Sequence, residues 1–179
     1  MEANDVPPHS IAAVLPPRPS VGRRFRGLRL RGLVEVVIVE LHAIRSDNAI
    51  TSVLQLKSLQ TLSFWRVPVA DQHLSSLAHH SQLQDLYLEE TTVTDAGLSH
   101  LGQLRLLWLL ALTDSRIGDE GLVHIGKLHT LEELHLGGTL VTDSGMVPLV
   151  NLPKLRTLTL ENTSVTDSGL ATLASMQTP

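Results

Sequence analysis

Leu83-Gln-Asp-Leu-Tyr-Leu-Glu-Glu-Thr-Thr-Val-Thr-Asp-Ala-Gly-Leu98 carries two periodicities in sixteen residues. Around Leu86 and Leu88 apolar and polar residues alternate, as in a strand with one buried face. After Asp95 the apolar residues fall at Leu98, Leu101 and Leu104, which is helical spacing. The stretch predicts a short strand, a turn and a short helix.

The same pattern returns every 24 residues. Gly97, Gly121, Gly145 and Gly169 are each preceded two positions earlier by Asp95, Asp119, Asp143 and Asp167. The columns Leu86, Leu110, Leu134, Leu158 and Val93, Ile117, Val141, Val165 keep the same period. A looser unit precedes them, with Leu59, Leu62, Phe64, Val69 and Asp71, and with His73 in place of the glycine. One step further back, Asp47, Ile50, Val53 and Leu56 follow a strand at Val37 and Val39, with an extra residue intervening. The chain therefore divides into a leader, 1–35, and a solenoid, 36–176, of about six units: 36–58, 59–82, 83–106, 107–130, 131–154 and 155–176.

One such unit cannot bury its own apolar face, so neighbours must stack. The expected fold is α/β, a solenoid with a parallel sheet of short strands on one side and short helices on the other. The recurring Asp residues are expected to cap the helix starts, and the glycines to admit close backbone approach. Thr91, Ser115, Thr139 and Thr163 are expected to form an inward hydroxyl ladder bonding loop backbone.

Each unit reads L-x-x-L-x-L-x-x-T-x-[VI]-[TG]-D-x-G-[LM], which resembles the leucine-rich-repeat family. It is similar to the 24-residue cysteine-containing repeats of F-box-type proteins and to bacterial leucine-rich-repeat proteins, with Thr or Ser at the Cys/Asn position. The resemblance implies a protein-binding module. It also implies, as a second role, a substrate-recognition adaptor of a ubiquitin-ligase-like complex, although no helical docking domain is visible before residue 36. A structural spacer without a specific partner is the third reading.

Composition agrees with a repeat. Hydrophobic residues make up 42% of the 179 and aromatics only 3%, which suits thin layers of Leu, Val and Ile. The absence of cysteine excludes a disulfide framework and a thiolate metal site. No apolar run reaches the length of a membrane span, and the N-terminus lacks the basic start of a secretory signal. The expectation is a soluble, cytoplasmic protein. Six of the fourteen Lys and Arg fall in residues 1–31 against two acids, whereas the remainder holds sixteen acids against eight basic residues. The Arg/Pro-rich leader reads as flexible or as a partial cap.

Residues between the buried leucines point outward along the sheet. On this face Trp65, Arg66, Asp85, Tyr87, Glu89, Glu90, Asp114, Glu133, His135 and Glu161 are the candidate contacts. Trp65 and Tyr87 are aromatic anchors of the kind enriched at interfaces. The acids repel phosphate and attract a protein partner with a basic segment, so nucleic acid is not expected on this face. Six strands about 4.8 Å apart offer roughly 24 by 16 Å, short of the ~800 Å² per partner of a standard interface. Binding on the sheet alone is expected to be weak without flanking loops, a protruding partner segment or self-association through an uncapped C-terminal end.

Enzyme chemistry finds no support. No Gly-rich phosphate loop, nucleophile elbow or H-E-x-x-H is present, and the acids recur by period rather than in a pocket. His100 and His124 share a repeat position but lack a third ligand for zinc. No catalytic residue, metal or cofactor is expected.

Overall fold

A computed structural model describes residues 37–42, 47–56 and 58–174. The leader 1–35 lies outside the described residues. The elements alternate along the chain: β1 (Val37–His42), α1 (Asp47–Val53), β2 (Leu59–Trp65), α2 (Asp71–Leu74), β3 (Asp85–Glu89), α3 (Asp95–Leu98), β4 (Leu109–Ala111), α4 (Asp119–Ile125), β5 (Glu133–His135), α5 (Met146–Leu149), β6 (Thr157–Thr159) and α6 (Asp167–Ala174). Short 3₁₀ turns, Ser75–His79 and Ser99–Gln103, extend α2 and α3, and Asp143–Gly145 leads into α5. The strands form one parallel sheet in the order β1-β2-β3-β4-β5-β6. The expected α/β solenoid is the fold observed.

Register follows the repeat. Leu62, Leu86, Leu110, Leu134 and Leu158 pair in sequence across the sheet. Pairing is irregular only at the start of β1, where Val37 pairs with Leu59 and Ile38 with Thr61. The core is one continuous leucine-rich cluster, fully enclosed between Leu59 and Leu149. Leu158, Leu160, Val165 and Leu173 of the last described layer are only partly buried.

The hydroxyl column bonds locally. Thr91, Ser115, Thr139 and Thr163 each donate to the carbonyl three residues earlier, at 3.0, 2.5, 2.6 and 2.7 Å. The carbonyls of Leu112 and Leu136 also accept the backbone N–H of Ser115 and Thr139, so hydroxyl and amide together close the turn after the strand.

The aspartates do not cap their own helices. Asp71, Asp119 and Asp143 each accept the backbone N–H and the hydroxyl of the threonine 23 residues ahead: Thr94, Thr142 and Thr166. Asp95 accepts the N–H of Gly118 at 2.7 Å. Each carboxylate therefore staples its unit to the next. The glycines make room for this staple, because a methyl at Gly97, Gly121, Gly145 or Gly169 would strike the carboxylate of Asp71, Asp95, Asp119 or Asp143. The Asp-x-Gly spacing records contact between units rather than helix initiation.

Candidate functional site: the strand face

Three columns of side chains cover the face opposite the helices. Thr61, Asp85, Leu109, Glu133 and Thr157 are in register in the first, and Ser63, Tyr87, Ala111, His135 and Thr159 in the second, which Glu40 joins from β1. Trp65 and Glu89 pair in the third, which the repeat continues through Thr113, Gly137 and Glu161. These columns contain no Lys or Arg.

The sheet register sets four carboxylates around Tyr87: Asp85 and Glu89 two residues either side of it on β3, and Glu40 and Glu133 two strands away on opposite sides. Burial, and secondly their charge, pushes the Tyr87 pKa up. Burial raises Asp85 as well; Thr61, donating to its Oδ2 at 2.7 Å, opposes the rise, and Glu133 adds to it. Glu89 is raised by burial and by Glu90, against a hydrogen bond from Thr113. Oδ1 of Asp85 and Oε2 of Glu40 are buried without a hydrogen-bond partner among the described residues. Unpaired buried acceptors cost free energy.

Leu109 and Ala111 lie on this face in register but are buried rather than offered to solvent. Leu109, placed between Asp85 and Glu133, contributes an apolar floor between two acids.

Arg66, Glu90 and Asp114 sit at the turn after the strand, not on it. Together with Asn162 and Gly138 they form a column of left-handed residues, with φ of 56°, 51°, 54°, 57° and 70°. Glu90 is already engaged: its Oε2 accepts from Arg66 Nε at 2.8 Å, and its Oε1 from Trp65 Nε1 at 3.0 Å. The Arg66 bond holds the Glu90 carboxyl below its usual range. The Arg66 guanidinium lies 4.8 Å from the Trp65 ring centroid. Trp65, 38% exposed, is thus a pre-positioned aromatic at the rim. Its neighbours Arg66, Val67, Pro68, Glu90 and Thr92 line a shallow depression.

The remaining candidates are dispersed. His135 Nδ1 meets the hydroxyl of Thr159 at 3.2 Å. Asp114 leans over Gly138 and Glu161 over Gly137, where added methyls would strike those carboxylates. Glu40 was missed by the sequence reading, although the alternation of Val37, Val39 and Leu41 already placed it outward. Among the described residues no group of three or more His, Cys, Asp or Glu is placed to hold a metal. No helix among them is long and apolar enough to cross a membrane.

Residues 127–150 match a family model described as Leucine Rich repeat. No curated protein sequence matches the chain. Its fold is similar to a leucine-rich-repeat protein of Leptospira interrogans, at 23% identity and TM-score 0.57, covering 70% of this chain and 31% of that one. It is also similar to an internalin C2 of Listeria monocytogenes, at 24% identity and TM-score 0.53, covering 69% and 61%. The chain spans less than two thirds of the length of either structure. With one unit matched in sequence and the other units sharing its period and register, the chain has the leucine-rich-repeat fold.

Proposed function

We infer that the chain is a non-catalytic binding module that takes a basic, extended or protruding segment of a protein partner on its strand face. Leucine-rich-repeat proteins generally act as protein-interaction modules and are typically non-catalytic. The observation that carries the reading here is the set of four carboxylates, Glu40, Asp85, Glu89 and Glu133, gathered around Tyr87. No cation from the three face columns compensates them. A Lys or Arg side chain laid across Leu109 would meet Asp85 and Glu133, while Trp65 at the rim supplies an apolar anchor. Phosphate would be repelled, which disfavours nucleic acid on this face.

The test is binding of an Arg/Gly-repeat peptide and of a Glu/Gly-repeat control to wild type, Trp65→Ala and Glu89→Lys, with circular dichroism to establish that each variant folds. The Arg peptide is expected to bind wild type, more weakly as salt rises, and about tenfold or more weakly to Glu89→Lys. Equal affinity for both peptides, or for all three proteins, would leave the spacer role in place of this one.

A further inference from the structure

Unit 59–82 departs from the repeat at two positions facing its predecessor, and both departures are histidines. His73 stands where later units have Gly97, Gly121, Gly145 and Gly169. His80 stands where they have the buried Leu104, Leu128 and Leu152. The backbone is unchanged: His80 donates its N–H to Leu77 and accepts from Leu83, as Leu104 does with Leu101 and Leu107. Only the side chains differ, and each reaches back to the preceding unit.

His73 is buried, and its Nδ1 accepts the N–H of Ala70 at 3.0 Å. Its Nε2 therefore carries the proton, which it donates to Asp47 at 2.8 Å. The imidazole is interposed where later units join carboxylate and N–H directly. His80, 3% exposed, donates from Nε2 to the carbonyl of Leu54, just past α1, at 2.8 Å. That bond leaves Nδ1 unprotonated, and Nδ1 is buried with no hydrogen-bond partner among the described residues.

We propose that His80 is an acid-sensitive latch that holds the first strand–helix unit, β1 and α1, onto the rest of the array. A second proton on His80 must go to Nδ1, creating a buried N–H without an acceptor and a buried charge. The titratable group beside it is His79, which adds like charge, and Leu54 and Gln55 from the α1 side bring no counter-ion. The His73 ring, held between the Ala70 N–H and Asp47, joins the same two units. Asp47 is the charged group facing that ring, and Asp71 on the same helix is engaged with Thr94.

Burial, and secondly His79, holds His80 below its ordinary value of 6.5. The latch is therefore at full strength above pH 6.5 and weakens as pH falls from there toward the lowered folded pKa. Over that window each pH unit multiplies the open population by up to about tenfold. Opening would uncover the edge of β2 and withdraw Glu40 from the strand face, so acid would alter the surface on which a partner docks.

Hydrogen exchange measured at pH 7.5 and 5.5, corrected for intrinsic rates, tests the latch without any partner. Wild-type peptides within 37–56 are expected to lose up to about tenfold in protection at pH 5.5, while those within 83–150 hold theirs. His80→Leu restores the repeat residue, and His80→Gln keeps a donor for Leu54 without a titrating ring. Either is expected to abolish the pH dependence, and the second serves if the first does not fold. The latch is refuted by equal protection of 37–56 at both pH values, by acceleration of the whole array together, or by a pH effect that persists in the folded variants.

Discussion

Asp119 bonds both the N–H and the hydroxyl of Thr142, at 2.8 and 2.6 Å, and makes no bond to the start of its own helix. A cap and a staple predict different couplings. If the carboxylate is a staple, Asp119→Ala costs about 2 kcal/mol, and Thr142→Val removes part of the same interaction. The double variant should then show a coupling of about 1 kcal/mol in urea unfolding. Simple additivity would return Asp119 to the role of a cap. Asp143, stapled to Thr166 in the same way, has its carboxyl held below the ordinary value of 3.8 chiefly by the Thr166 N–H. Its contribution is therefore present above that pH and lost as pH falls through the lowered value.

At the scale of the strands, the raised carboxyls of Asp85 and Glu89 set how the face responds to acid. Burial favours their neutral forms, so they take up protons above their ordinary values of 3.8 and 4.5. Affinity for a cationic peptide should begin to fall above that ordinary carboxylate range, and the paired variants Asp85→Asn and Glu89→Gln should flatten the decline. In the His80→Gln variant, where the latch does not titrate, the sheet should not weaken in that window, because a raised carboxyl binds protons more readily folded than unfolded. Titrating peptide affinity and urea stability in parallel in that variant separates the two effects; a joint fall there would contradict this assignment. The strands, their order and their outward columns were legible because period 2 and period 24 are both written in leucines. The left-handed column was not, since Arg66, Glu90, Asp114 and Asn162 occupy it and only Gly138 signals positive φ. The engagement of Glu90 by Arg66 and Trp65 was equally hidden, because it crosses between units at positions that carry different residues elsewhere. Glu40 was within reach, because the alternation of Val37, Val39 and Leu41 places it outward.

Across the whole molecule, each layer touches only its neighbours, so the cost of losing a buried side chain depends on whether a layer lies on both sides. Leu110 and Leu158 occupy the same repeat position, yet Leu110 is fully enclosed and Leu158 only partly. Leu110→Ala should cost about 2 to 5 kcal/mol through the cavity it leaves between two packed layers. Leu158→Ala should cost roughly half as much, since part of its side chain already faces solvent and the space can relax. The two should also differ in kind. Loss at Leu158 should fray one end, seen as hydrogen exchange confined to peptides after residue 150, whereas loss at Leu110 should break the array into two weaker blocks and broaden the urea transition. Equal costs with unchanged cooperativity would mean that the array unfolds as one globule rather than as stacked layers.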